Sequence, residues 1–241
     1  MANLSYESAN NIEKILEDIE SLVTSMQNYY VYSGVARSGQ RRLWQNRFRR
    51  LYHPKEYLES SGTQYIDTGV SGVVQAVIDL EVTSVTPSGT NYTILWAENQ
   101  GSPYECNGVR CNNYQTYVNR PFFQLGNGAT AEDNTKEAEL NTRYTIAIDT
   151  NPDSYYLEVN GEMQVQGTSS GYPLASYNLF LFANNGATTA KQFGKIKLYS
   201  CKIYKDNVLV RDFIPVTTTE PCLLDRVNGV FYYNQGTGTF S

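Results

Sequence analysis

Few residues in this chain have the type and spacing to do covalent chemistry. The single histidine, His53, sits in a basic stretch. No Cys–His or activated-serine pattern accompanies it, so nucleophilic hydrolysis has no support. No Gly-rich phosphate loop is present. Four cysteines, Cys106, Cys111, Cys201 and Cys222, allow three disulfide connectivities, yet nothing indicates an oxidising compartment. A zinc site at Cys106 and Cys111 would need two further ligands that the sequence does not supply nearby, so the cysteines read as buried thiols. Glycoside hydrolysis needs a carboxylate and a carboxylic acid held close together on one face. Glu17, Asp18 and Glu20 have the wrong spacing on a helix. Asp79 and Glu81 share a strand face, but they read more simply as a solvent-facing row opposite Ile78, Leu80 and Val82. No catalytic residue and no metal site is assigned, and the chain reads as a non-enzyme.

The elements that carry these residues fall into an N-terminal appendage and a β-rich body. Ile12, Ile15, Ile19, Leu22, Met26 and Tyr29 step by three and four, an a/d seam on a helix over residues 10–29. Asn10 and Glu13 make a capping box at its start. Isoleucine at a and d, with apolar Leu16 and Val23 at e, leans toward a trimer, a self-associating coiled-coil-like segment. The competing reading folds this helix back on its own domain. Three heptads are too short to hold an oligomer firmly unaided. Residues 1–36 therefore read as helix and connector.

Residues 37–55 form a basic segment in which Trp44, Phe48 and Leu51 fall at i, i+4 and i+7. Arg41, Arg42, Arg47, Arg49 and Arg50 occupy much of the remaining circumference, and Pro54 limits the helix. Docking on a protein partner through Arg41, Arg42, Trp44, Arg47, Phe48, Arg49 and Arg50 leads the readings, Trp and Arg being interface anchors. A solvated linker, or contact with phosphates or an anionic membrane, competes.

Charge is unevenly distributed. The first 36 residues carry −4, residues 37–55 carry +7 and the remainder −8. An acidic body disfavours nucleic acid as a general partner. MANLSYESANN shows neither a basic n-region nor an apolar h-region, so no signal peptide is expected, and no apolar run reaches membrane-span length.

From Glu56 the pattern turns to period two with frequent turns. Tyr144–Ile148 alternates, and Tyr155–Val159, Asn160-Gly161 and Glu162–Gln166 spell a hairpin. Residues 178–183 read as one fully buried strand. Lys195–Tyr204 and Val208–Pro215 pair through Lys205-Asp206-Asn207, and Val227–Tyr233 closes with another hairpin. About ten to twelve strands at this spacing predict a mostly β, two-sheet antiparallel sandwich over residues 56–241.

Three motifs carry a resemblance. The domain opens with Tyr57-Leu-Glu-Ser-Ser-Gly-Thr-Gln-Tyr-Ile-Asp-Thr-Gly69. Phe193-Gly-Lys-Ile-Lys-Leu-Tyr-Ser-Cys-Lys-Ile-Tyr204 is followed by Leu209-Val-Arg-Asp-Phe-Ile-Pro-Val216, and Leu224–Phe240 ends it. Together they resemble the concanavalin A-like, laminin G-type jelly-roll modules of bacteriophage and prophage tail, fibre and decoration proteins. Residues 1–55 lie outside the resemblance. It implies a jelly roll that binds glycans or serves as a structural, adhesive module. The alternating Glu-x-Asp-x-Glu of the superfamily's glucanases is missing from the β body.

The expectation that follows is a structural virion protein, a fibre, baseplate appendage or decoration. Residues 1–55 would attach it to other virion proteins, a homotrimer would gather the copies, and the jelly roll would face host glycans. A bacterial-surface adhesin is the alternative. A sugar site needs an aromatic platform and short polar groups on loops. The candidates are Trp96 with Glu98 and Asn99; Tyr104, Asn112, Asn113, Tyr114 and Tyr117; and Asn184 with Asn185. Trp96 also reads as core. No cofactor is required. Asp133-Asn134 and Asp149/Asp153 are candidates for the calcium that some laminin G modules hold.

Overall fold

The computed structural model describes residues 52–85, 91–101, 104–112, 121–128, 131–168, 174–187 and 189–241. The described residues fall in one compact unit, Tyr52–Ser241. The seam from Ile12 to Tyr29 and the docking segment from Arg41 to Arg50 lie outside the described residues. In chain order the strands are β1 (His53–Pro54), β2 (Leu58–Glu59), β3 (Ile66–Asp67), β4 (Gln75–Ser84), β5 (Asn91–Asn99) and β6 (Glu105–Asn112). β7 (Phe122–Gly128), β8 (Ala131–Glu137), β9 (Arg143–Asp149), β10 (Tyr155–Val159), β11 (Glu162–Gly167) and β12 (Phe180–Leu181) follow. β13 (Asn184–Asn185), β14 (Ala190–Lys191), β15 (Lys195–Lys205), β16 (Val208–Thr217), β17 (Pro221–Asp225) and β18 (Val230–Tyr232) complete them. Among the described residues no helix is long and apolar enough to cross a membrane.

Two sheets result. The first has ten strands in the order β11-β10-β9-β4-β15-β16-β17-β18, with β1 on β16 and β2 on β15. The second has eight, β14-β13-β5-β6-β7-β8, with β12 bridging β5 and β3. Among the described residues pairing is antiparallel except between β13 and β5. The expected count of strands is exceeded because several short pairings too brief to show periodicity join the long strands. Residues 52–55 belong to this unit: His53 and Pro54 pair with Thr217 and Val216, and Lys55 N–H donates to Pro215 O.

Alternation sets the core. On β4, Ala76, Ile78, Leu80 and Val82 point inward. On β9 the inward residues are Tyr144, Ile146 and Ile148. The second sheet answers with Leu95, Ala97, Val109, Cys111, Phe123 and Leu125. Each fully buried Leu or Ile contributes about 1.5–3 kcal/mol relative to exposure, so the sandwich interior dominates stability.

The hairpins expected at Asn160-Gly161 and at Asp206-Asn207 are present. Both turns use left-handed residues: Asn160 at φ 54°, and Asp206 and Asn207 at 51° and 62°. That is the backbone two-residue turns require between right-twisted strands. The single buried strand expected over residues 178–183 is corrected. Phe180–Leu181 pairs antiparallel with β5, and Asn184–Asn185 then pairs parallel with the same strand. Between them Phe182 takes φ 68°. The Phe182 ring is buried against Phe240 (4.9 Å), and the Phe182 backbone N–H donates to Ile94 O. Tertiary contacts therefore hold a backbone that the apolar run did not disclose.

The opening and closing motifs meet. Glu59 and Ser241 exchange backbone hydrogen bonds at 3.0 and 3.1 Å, and Thr237 N–H donates to Thr63 O. Buried Gln64 accepts from Ser60 Oγ and Ser61 N–H and donates to Thr239 O. The ends of the β unit are thereby clasped.

Candidate functional site

The face of the second sheet turned away from the core carries an unusual set of side chains. Along β5, Leu95 and Ala97 enter the core, so the pleat sends Trp96 and Glu98 the other way. Register places Trp96 opposite Gly108 and Glu98 opposite Cys106 on β6. Arg110 and Gly108 in turn face Gln124 and Gly126 on β7. Residues on such a face are ordinarily solvated. Here Trp96 is 0% exposed, Glu98 1%, Gln124 6% and Arg110 7%.

Glu98 is the hub. Its Oε1 accepts from Lys191 Nζ at 2.9 Å and Gln100 Nε2 at 2.8 Å. Its Oε2 accepts from Tyr104 Oη at 2.9 Å and Trp96 Nε1 at 3.2 Å, with Arg110 Nη1 at 3.7 Å. The Arg110 guanidinium stacks 4.4 Å from the Trp96 ring centre and donates through Nε to Gln124 Oε1. Asn184 donates to Gln192 Oε1 at 2.8 Å, leaving its own Oδ1 buried with no hydrogen-bond partner.

Local backbone makes this convergence possible. Gly126 provides the floor: a Cβ there would stand 2.5 Å from Trp96 Cη2. Gly186 lets Lys191 lie down toward Glu98, since a Cβ there would meet Lys191 Cε at 2.5 Å. Phe182, Ala187 and Gln192 adopt φ 68°, 73° and 51°. Each non-glycine residue in that region costs about 1–3 kcal/mol, and such outliers collect where a site must be held. These three bracket the segment that delivers Asn184 and Lys191.

The electrostatics follow from the contacts. Burial alone pushes the Glu98 carboxyl up, but hydrogen bonds from Lys191, Asn184 and Tyr104 and the Lys191 charge outweigh it. The net result lies below the ordinary glutamate range. A carboxylate held ionised is a poor general acid, and donors already occupy both of its oxygens. Burial raises the Tyr104 phenol, which stays protonated as a donor. Burial also pushes the Cys106 thiol up to about 11. The arrangement suits binding: a rigid polar floor, with Lys191, Tyr104, Gln100 and Gln192 reaching its partly exposed rim.

Several expected positions fall here. Trp96 is both candidate and core-like, buried with its indole N–H engaged. Asn184 joins the cluster, whereas Asn185 turns its amide to Asn178 O. Asn113, Tyr114 and Tyr117 lie outside the described residues. Sequence reading missed Gln100, Arg110, Gln124, Lys191 and Gln192. Arg110 had a signal, as a charge between Val109 and Cys111 in a strand; Lys191 had none.

Asp79 and Glu81 do share an outward face, but partners roof it. Arg143 forms a two-pronged pair with Asp79 at 2.8 and 2.6 Å, while Lys197 and Tyr199 donate to Glu81 at 2.9 and 3.0 Å. Asp149 is committed to Gln75 and to Asn151 N–H. Among the described residues no group of three His, Cys, Asp or Glu is placed to hold a metal ion. All four cysteines are buried thiols. Cys106 and Cys111 lie on opposite faces of β6, since only Cys111 enters the core, and the pleat keeps them from pairing.

No protein-family model matches the chain, and no curated protein matches it in sequence. The likenesses are to solved structures. A proposed carbohydrate-binding protein from Bacteroides ovatus superposes with a TM-score of 0.56 at 13% identity, covering 79% of this chain and 60% of that one. The CBM40 module of a Ruminococcus gnavus IT-sialidase, bound to α2,3-sialyllactose, gives 0.49 at 16% identity, covering 63% and 90%. Trypanosoma rangeli sialidase in complex with sialic acid gives 0.40 at 14%, covering 58% and 21%. At such identities the first of these likenesses speaks to the fold, a two-sheet β-sandwich.

Proposed function

We propose that residues 52–241 form a non-catalytic, glycan-binding module of a structural virion appendage, attached through residues 1–51 and gathered as a trimer. The observation that carries the binding half is the Glu98 cluster. Buried charges are costly unless paired and hydrogen-bonded. A strained segment nevertheless holds such a group on an outward sheet face, where plain stability needs only a solvated surface. The fold shared with the Bacteroides ovatus protein agrees with this reading. An ionised, donor-saturated Glu98 argues for binding over catalysis. The virion half draws on the sequence: the a/d seam, the Arg/Trp segment and the motifs of phage jelly rolls.

A glycan array probed with the intact chain tests binding, because weak single sites gain through multivalency. Signal on bacterial surface glycans is expected; silence across them overturns the binding half. Cutting before Tyr52, not inside the strand that follows, should leave a folded monomer that no longer joins particles. Normal assembly of the cut chain would overturn the attachment half.

A further inference from the structure

We infer that the saccharide taken at the Glu98 cluster carries a carboxylate, received by the Lys191 ammonium at the rim. The inference deepens the glycan-binding reading and rests on it. Neutral sugars are commonly oriented by a carboxylate that accepts their hydroxyls. Glu98 is not available for that role, because Lys191, Gln100, Tyr104 and Trp96 already donate to its two oxygens. What remains at the rim is rich in donors. Lys191 spends one of its N–H groups on Glu98 and its side chain is 31% exposed. Gln192 accepts from Asn184 through Oε1, leaving its own amide N–H groups to donate.

Charge points the same way. Among the described residues two cations, Lys191 and Arg110, face one carboxylate. Arg110 is committed by its contacts with Gln124, Trp96 and Glu98, and its side chain is buried. The surplus positive charge is therefore presented by Lys191. An anion placed there meets charge-assisted donors in a partly desolvated setting, where such bonds are strongest. Next to it in register stands Asn184, whose buried Oδ1 lacks a donor. A group bearing both carboxylate and hydroxyl, as an acidic sugar does, matches this pair.

The test titrates the intact chain with a glucuronate-terminated and a neuraminate-terminated oligosaccharide, each beside its carboxyl-reduced form. At least one acid should bind, and reduction should weaken it roughly tenfold or more, the worth of one charge-assisted hydrogen bond. Lys191→Gln should lose the same factor, and Lys191→Arg should retain most of the affinity. Equal binding of the acid and its reduced form overturns the inference while the glycan-binding reading stands. Binding of neither, together with a silent glycan array, overturns both. Should Lys191→Gln fail to fold, the reduced-sugar comparison on the unaltered chain still decides.

Discussion

Trp96 and Glu98 stand two residues apart on β5, and the indole Nε1 donates to the Glu98 carboxylate across 3.2 Å on the face turned from the core. The pair makes one strand serve two interiors. Leu95 and Ala97 build the sandwich, while Trp96 and Glu98 build the polar cluster. Changes to either should therefore be felt in stability and in binding together.

Removing the hub leaves Lys191 and Arg110 without their carboxylate. Breaking a buried pair costs about 3–5 kcal/mol, and the lower end applies because Lys191 is 31% exposed. Glu98→Ala should lower the urea midpoint accordingly; a loss under about 1 kcal/mol would contradict the hub. Folding holds Glu98 below its ordinary range. Its contribution is thus fully present above the unfolded value of about 4.3 and is lost as pH falls through the lower folded value. Glu98→Gln should flatten that acid limb.

Gly126 is the floor on which Trp96 lies. An added methyl would come within 2.5 Å of Trp96 Cη2 and 3.1 Å of Cys106 Sγ, both buried. Overpacking of this kind costs about 1–3 kcal/mol, and Gly126→Ala should also weaken glycan binding by displacing the indole. Gly161, at φ 78° with nothing within 4 Å of an added Cβ, is the control. Gly161→Ala should cost about 1 kcal/mol in backbone strain and leave binding unchanged. Equal binding losses for both variants would refute the floor.

The clasp between the first and last motifs gives a third expectation. Gln64 is 1% exposed and links Ser60, Ser61 and Thr239. Gln64→Ala strands buried groups and should cost about 1–3 kcal/mol. Phe240→Ala vacates a buried site beside Phe182 and should cost about 3–5 kcal/mol. Urea titration measures both. Near-silent substitutions would mean the ends of the β unit are merely adjacent.

Thiol labelling offers a fourth. Burial raises all four cysteines, Cys106 to about 11 and Cys111 to about 12. The thiolate is the reactive form, so iodoacetamide at pH 8 should leave the folded protein unmodified. Mass spectrometry should find four labels only after unfolding in urea. Rapid labelling of Cys106 under native conditions would show that the Glu98 cluster opens.

Much of the body was legible because its signals are local. Alternation at Ile78, Leu80 and Val82 depends only on the pleat, and Asn160-Gly161 and Asp206-Asn207 announce turns through their tolerance of left-handed backbone. The apolar run over residues 178–183 misled, since hydrophobicity reports burial and not direction. Phe182 is buried as expected yet reverses the local path through contacts with Ile94 and Phe240.

By itself, then, the sequence determined the class of fold, the hairpins, the buried thiols and the grouping of Trp96 with Glu98, all set by neighbours in the chain. Only the tertiary structure decided that Glu98 would be neutralised by Lys191, more than ninety residues away, and approached by an Arg110 that stacks on Trp96 and is held by Gln124. It also decided that Asp79 and Glu81 would be roofed by Arg143, Lys197 and Tyr199. Charge pairing across strands follows register, and register follows packing of the whole sheet rather than any one segment. A strand can state which face its residues occupy, but what meets them there is chosen by the strands alongside.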